Sequence, residues 1–170
     1  MVEGVSPERT ELLELLEEVA ATVAGIDPAA PDAAARLEAA HPFRSPGMRR
    51  VRALAKVGVE QGWLLPREAG TEVRFGRLAK DLRGHAVDCV LMSGRALGHT
   101  HPRGEVNIGF AWEGEAPRFD GQPEGWIVFP PGSHHVPTVT GGRMLFVYFL
   151  PGGEVVWDPP PPPSAGSPSA

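Results

Sequence analysis

From Trp63 onward, the chain is a succession of short apolar runs, and each run is bounded by glycine or proline. Runs of this length and spacing suit antiparallel strands in a barrel or a sandwich. Turn-forming residues are abundant, with 21 glycines and 19 prolines in 170 residues, which also favours many short strands. The sequence therefore predicts a mainly β domain. The predicted strands lie at residues 72–78, 86–92, 105–112, 126–130 and 143–150.

The first part of the chain has a helical pattern instead. Two Ser-Pro pairs, at positions 6–7 and 45–46, each place a capping residue before a proline at the first helical position. The helix that begins at the second pair stops near Gly62, and a short alanine-rich helix is predicted between the two, over residues 31–40. We expect this segment to pack as a cap on the β domain rather than to carry catalysis.

The length of the chain fits one ordinary domain. We expect an N-terminal helical segment at 1–62, an antiparallel β-barrel at 63–157 and a disordered tail at 158–170. The tail contains a run of prolines followed by small polar residues, so it has too little apolar surface to offset its ordering entropy by burial.

Charge and composition make several classes of partner and site unfavourable. Lys and Arg number 16 against 21 Asp and Glu, a net charge of −5, which argues against nucleic acid or an anionic membrane as the main partner. The sequence has no run of 18 apolar residues, so no membrane span is predicted. No secretory signal is visible either, and we therefore expect a cytoplasmic protein. The single cysteine, Cys89, excludes an intramolecular disulfide framework and is interpreted as a buried hydrophobe.

Two tight clusters of histidine carry the predicted chemistry. In the first cluster, His99 and His101 share one face of a strand because strand side chains alternate. Glu105 lies a further even step along and shares that face if the register holds, whereas a bulge at Pro102 or Gly104 would change it. The second cluster, His134 and His135, follows a Pro-Pro-Gly turn that can aim one histidine, but not both, back at the first. Imidazole and carboxylate groups brought together in this way suit a divalent metal.

Three histidines and one carboxylate would leave two open positions on a six-coordinate metal, as in a catalytic rather than a structural site. Mixed nitrogen and oxygen ligands do not distinguish Fe, Mn, Zn, Ni and Cu, because geometry rather than affinity decides between them.

These segments resemble the two signature motifs of the cupin superfamily. The first motif is matched by a glycine, His-x-His, Glu and a later glycine, and the second by Pro-x-Gly-x-x-His. The resemblance implies a small jelly-roll β-barrel with the metal inside it, held by four residues and not by His134. Those residues are His99, His101, Glu105 and His135.

A narrower resemblance points to the 4-hydroxylaminobenzoate lyase family. It lies in the strings at residues 75–77, 99–105, 118–121, 123–126, 135–139 and 148–153. The resemblance implies conversion of 4-hydroxylaminobenzoate to protocatechuate with release of ammonia. Such a reaction needs N–O cleavage, water addition to the ring and loss of nitrogen, and we hypothesise that the metal binds the hydroxylamine oxygen or activates the water.

An aromatic carboxylate substrate would need a cation and a flat apolar slot. Arginine binds carboxylate through two parallel hydrogen bonds, and Arg77, Arg95 and Arg103 are the candidates. Aromatic candidates for the slot are Trp112, Phe119, Trp126 and Tyr148. Of all these residues we select Arg77, Arg103, Trp126 and Tyr148 as substrate-binding.

A general base is also needed near the ring. His134 is a candidate only if its strand twists inward, and we expect it to face solvent instead. Glu113, Glu115 and Asp120 are alternatives because they are close in sequence.

The predicted strand at 105–112 has two unlike faces. Glu105 and Asn107 lie on a face of small or polar residues that leaves room for a ligand. The opposite face, with Ile108 and Phe110, is too apolar for water. We expect the N-terminal helices or a second subunit to cover it, so a homodimer is a further prediction.

Two other functions share these features. A metal-dependent cupin dioxygenase would use the same ligands but consume oxygen. A non-catalytic sensor or binding module would hold a small acid in the same barrel without turning it over.

Overall fold

The computed structural model describes residues 4–159. The predicted disordered tail therefore lies outside the described residues, apart from Asp158 and Pro159. Three helices come first in the chain: α1 (Pro7–Ala24), α2 (Ala33–Ala40) and α3 (Pro46–Gln61). Both Ser-Pro predictions are confirmed, because the hydroxyl oxygens of Ser6 and Ser45 accept hydrogen bonds from the backbone N–H groups of Arg9 and Met48.

Within residues 4–159, ten strands follow the helices. They are β1 (Arg67–Ala69), β2 (Val73–Leu82), β3 (His85–Arg95), β4 (His99–His101), β5 (Glu105–Glu113), β6 (Arg118–Phe119), β7 (Gly125–Phe129), β8 (Ser133–His135), β9 (Thr138–Pro151) and β10 (Val156–Trp157). The long predicted strands are all present. The strands β1, β6 and β10 have two or three residues each, too few for an alternating pattern to be visible in the sequence.

The strands form two antiparallel sheets. The larger sheet has the order β1-β2-β3-β9-β5-β7, with β6 pairing to β9, and the smaller has the order β10-β4-β8. This mainly β arrangement with N-terminal helices confirms the predicted fold class, and it fits the jelly roll of the cupin type. Among the described residues the strands are divided between these two sheets rather than joined into one closed sheet.

The helices cover one face of the larger sheet. Ile108 and Phe110 of β5 lie in a core that they share with the buried faces of all three helices, and Phe43 packs on Phe110 with ring centroids 5.3 Å apart. The predicted apolar face of β5 is thus covered within one chain, and it gives no reason to invoke a second subunit. Cys89 is buried in the same core, as predicted. Among the described residues, no helix is long and apolar enough to cross a membrane.

A second, smaller core lies on the other face of the larger sheet, where Phe119, Ile127, Met144 and Phe146 pack together. The small sheet also lies on this side, since the His135 ring at its edge is 5.9 Å from that of Phe119. The predicted ligand His135 therefore lies between this face of the larger sheet and the small sheet.

Candidate metal centre and its cavity

Three imidazole rings meet at the small sheet. His99 and His101 belong to β4, and His135 of β8 is directly opposite His99 in the strand pairing. The Nε2 atom of His101 lies 3.1 Å from Nε2 of His99 and 3.1 Å from Nε2 of His135. His101 is 0% exposed and His99 is buried, so the cluster is largely closed to bulk water.

Glu105 completes the cluster from the other sheet. Its Oε2 atom lies 2.7 Å from Nε2 of His101, and the residue is 5% exposed. The prediction that the two share one continuous strand face was wrong, although they do meet. His101 ends β4 and Glu105 begins β5, and between them the chain turns through Gly104, whose φ of 84° favours glycine.

The outer nitrogens of two rings are fixed by hydrogen bonds. Nδ1 of His99 donates to the carbonyl oxygen of Leu97 at 3.1 Å, and Nδ1 of His135 donates to Oδ2 of Asp120 at 2.7 Å. A proton held on Nδ1 leaves the Nε2 lone pair of a neutral ring free, and both lone pairs face the centre of the cluster. Burial also lowers the pKa of His99, which favours the neutral ring that a metal requires.

Hydrogen bonding alone does not satisfy this cluster. Nε2 of His101 has three close neighbours, the two imidazole nitrogens and the carboxylate oxygen of Glu105, but a neutral ring nitrogen carries at most one proton. The three histidines each offer a ligand atom, and these atoms lie within 4.8 Å of one another. Nitrogen donors joined by a carboxylate are the donor set of a divalent transition metal, so these residues fit a metal ion.

A cavity of about 750 Å³ opens beside the cluster. One part of its wall is apolar and consists of a cross-strand row formed by Phe75, Val90 and Phe146 on three neighbouring strands. The next row along the same face is polar and contains Asn107 and Tyr148, which are paired across β5 and β9. The cavity is therefore large enough for a small aromatic ring and offers polar groups at one side of it.

The amino-acid sequence matches one described family over most of its length. The sequence model of that family, PnbB, 4-hydroxylaminobenzoate lyase, matches residues 14–157. The chain belongs to the 4-hydroxylaminobenzoate lyase family. The matched span includes every strand and all four residues of the cluster.

Two curated relatives carry the name 4-hydroxylaminobenzoate lyase. The relative from Nocardioides sp. (strain LMS-CY) is 34% identical over 127 residues, which cover 66% of this chain and 73% of the relative. The relative from Pseudomonas putida is 30% identical over 129 residues, which cover 65% of this chain and 73% of the relative.

Solved structures similar to the chain include two RmlC-like cupins. One is from Ralstonia eutropha JMP134, with a TM-score of 0.41 and 14% identity, covering 55% of this chain and 64% of that chain. The other is from Shewanella frigidimarina NCIMB 400, with a TM-score of 0.35 and 20% identity, covering 50% of this chain and 81% of that chain.

The predicted substrate-binding residues of this lyase-family chain divide into two groups. Tyr148 and Arg77 line the cavity. The guanidinium of Arg77, however, already binds Asp88 through two hydrogen bonds of 2.8 and 3.2 Å from Nε and Nη2, so its charge is balanced within the protein. Arg95 also lines the cavity, and it makes no side-chain hydrogen bond within residues 4–159.

Arg103 and Trp126 lie outside the cavity lining. Arg103 is exposed and its guanidinium lies close to Gly152. Trp126 is paired with Ile108, so strand alternation turns its side chain into the helix-covered core, where Nε1 donates to the carbonyl oxygen of His41 at 2.9 Å. Trp112 packs on the helix side as well, under the guanidinium of Arg52.

Three of the four candidate bases have other partners, and the fourth is exposed. His134 faces outward, as predicted, and its Nε2 lies 2.8 Å from Oδ2 of Asp158. Glu113 pairs with Arg143, and Glu115 is exposed. Asp120 binds His135.

Sequence reasoning missed the contacts that two residues make with the cluster. The Trp157 ring packs on His99 with centroids 4.8 Å apart, and it comes from a strand too short to detect. Asp120 was weighed only as a base, although the Asp-Gly pair at positions 120–121 is a strong turn signal and could have placed its side chain at the end of a hairpin.

Proposed function

We propose that this chain is a 4-hydroxylaminobenzoate lyase that converts its substrate to protocatechuate and ammonia. The net reaction consumes one water and releases one ammonia, and it needs no external oxidant. The observation that carries the proposal is the convergence of His99, His101, Glu105 and His135 at an aromatic-lined cavity in a chain of this family.

The metal belongs to the proposal. We assign it to the same four residues, His99, His101, Glu105 and His135, which act as the catalytic residues by holding it. A divalent cation bound there supplies Lewis acidity toward an oxygen of the substrate or of water. The donor set is compatible with Fe, Mn, Zn, Ni or Cu.

The chain's own residues bind and orient the ring. The row of Phe75, Val90 and Phe146 gives the flat apolar surface that an aromatic ring needs. Burial raises the pKa of Tyr148 well above its usual value, so its hydroxyl keeps its proton and is a hydrogen-bond donor at neutral pH. We therefore keep Tyr148 as a substrate-binding residue.

Asn107 joins Tyr148 in this role. It is 2% exposed, it lines the cavity, and its side chain makes no hydrogen bond within the described part of the chain. Its amide group opens onto the cavity, so a bound ligand can form the hydrogen bonds that it does not make within the protein. Asn107 is two residues from Glu105 on β5, about 7 Å along the strand, so it would meet a polar group of a ring held beside the cluster.

The positions of the other predicted substrate-binding residues change which of them we propose. Arg77 stays in the proposal as a wall residue whose charge is balanced by Asp88, and Arg95 is the remaining cavity arginine that could meet the ring carboxylate. Arg103 and Trp126 are no longer proposed, because neither lines the cavity. A small aromatic acid is the proposed partner, while the cytoplasmic location, the homodimer and the absence of nucleic-acid binding remain predictions.

The test is an anaerobic assay with purified protein of known metal content. Incubation with 4-hydroxylaminobenzoate should release ammonia and protocatechuate in equal amounts without oxygen. Dependence on oxygen, with oxygen uptake, would indicate a dioxygenase instead. Tight binding of the substrate without any product would indicate a binding module. Full turnover by protein stripped of metal would refute the role of the metal.

A further inference from the structure

The three histidines of the cluster differ in what holds their outer nitrogen. Nδ1 of His99 binds a backbone carbonyl, and Nδ1 of His101 is buried without a partner among the described residues. Nδ1 of His135 alone binds a carboxylate, that of Asp120, at 2.7 Å. Among the described strands, β8, which carries His135, is an edge strand paired with β4, whereas β4, which carries the other two histidines, is paired on both sides.

Asp120 is itself held in place on both sides. Its Oδ1 atom accepts a hydrogen bond from the backbone N–H of Thr138 at 2.9 Å, and its own N–H donates to the carbonyl oxygen of Thr138 at 2.9 Å. One carboxylate oxygen is thus fixed by the backbone while the other binds His135. Through Asp120, the backbone at the start of β9 therefore fixes the position of the His135 ring.

Asp120 lies in a tight turn whose backbone geometry directs its side chain toward His135. Phe119 and Gln122 exchange two backbone hydrogen bonds of 2.8 Å around Asp120 and Gly121, whose φ angles are 47° and 80°. Two central residues with positive φ define a type I′ turn, for which Asp-Gly and Asn-Gly are favoured. The strand pairing of β6 with β9 then brings the turn beside His135.

We propose that Asp120 is the positioning residue of the metal centre: it keeps the proton of His135 on Nδ1 and aims the Nε2 lone pair at the metal. The inference rests on the metal site of the proposed function. A carboxylate partner of this kind fixes the tautomer and the orientation of a metal-bound histidine and increases its donor strength.

The turn allows two substitutions that keep the backbone. Asp120→Asn leaves a hydrogen-bond acceptor without the charge, and Asp120→Gly removes the side chain; both residues tolerate positive φ. The same chain offers a matched control in Asp158→Asn, because Asp158 binds the neighbouring His134, which faces outward. Thermal unfolding of each variant checks that the fold is retained.

The first measurement is the tautomer of His135 in metal-free protein, read from ¹⁵N chemical shifts of its ring. We expect the Nδ1–H form in the wild type and in Asp158→Asn, and a shift toward the Nε2–H form in Asp120→Gly. An unchanged tautomer in Asp120→Gly would overturn the proposal. This result does not depend on the lyase reaction or on metal binding.

The second measurement is the dissociation constant for Zn²⁺ and for Mn²⁺, by competition with a chelator. We expect Asp120→Gly to weaken binding by about 10- to 100-fold, Asp120→Asn to lie between it and the wild type, and Asp158→Asn to match the wild type. Equal affinities in Asp120→Gly and wild type would overturn the proposal, as would an equal loss in Asp158→Asn. If the wild type neither binds these metals nor turns over the substrate, the proposed function is contradicted. The tautomer of His135 would still test the role of Asp120.

Discussion

At the scale of single residues, the centre depends on which nitrogen of each ring carries a proton. His99 and His135 both hold a proton on the outer nitrogen, through Leu97 and Asp120 respectively, so their inner nitrogens present lone pairs to one point. The sequence predicts the histidines and the carboxylate correctly as neighbours, since His-x-His and the turn before His135 are local signals. It does not predict the partners of the outer nitrogens, because those contacts join residues that are distant in the chain.

Replacing the buried amide of Asn107 should affect substrate binding but not the stability of the fold. Replacement by leucine, which has a similar size, removes the hydrogen-bonding group but keeps the cavity wall. We expect KM for 4-hydroxylaminobenzoate to rise by about 10-fold or more, because a hydrogen bond to a charged or strongly polar group contributes about 1.5–3 kcal/mol. The free energy of unfolding should change little, since the Asn107 amide opens onto the cavity and leucine keeps the packing of the wall.

Steady-state kinetics and urea unfolding of Asn107→Leu provide both quantities. Tyr148→Phe is the companion variant, because it removes only the hydroxyl that lies in the same polar row. An unchanged KM in both variants would mean that this row does not contact the substrate.

At the scale of elements, the strands differ in how far they can be predicted. The long strands β2, β3, β5 and β9 show clear apolar runs and were predicted, with ends that differ by a few residues. The relation between β4 and β5 is not predicted by counting residues along a single strand. At Gly104 the chain turns from the small sheet into the large one, so the two segments are separate strands. Trp126 shows the same limit, since alternation fixes which residues share a face but not which face meets the helices.

Two glycines that end helices give a matched pair of stability predictions. Gly62 ends α3 with a φ of 84°, and a Cβ added there would point into open space. Gly62→Ala should therefore lower the free energy of unfolding by about 1 kcal/mol through backbone strain alone. Gly25 ends α1 with a φ of −91°, where alanine fits, so Gly25→Ala should be neutral or slightly stabilising.

Chemical denaturation of the two variants beside the wild type measures this difference. The prediction fails if Gly25→Ala is destabilised as much as Gly62→Ala, which would show that the left-handed conformation is not the cause.

At the scale of the whole molecule, the candidate metal centre joins the two sheets. His99, His101 and His135 lie on the small sheet, and Glu105 begins β5 of the large one. The small sheet has only eight residues in three short strands, so few backbone hydrogen bonds hold it. A metal bound by residues from both sheets would tie the small sheet to the rest of the molecule.

This connection predicts that metal stabilises the entire fold. A ligand that binds only the folded state at about 100 times its dissociation constant adds about 2.7 kcal/mol to the free energy of unfolding. We therefore expect Tm to fall by several degrees when a chelator strips the wild type. His101→Ala should have a Tm that the chelator does not change, because it lacks the ring at the centre of the cluster. Calorimetry with and without chelator measures both proteins. If the chelator lowers the Tm of the wild type and of His101→Ala equally, the stabilising metal binds elsewhere. If it changes neither Tm, metal does not contribute to the stability of this chain.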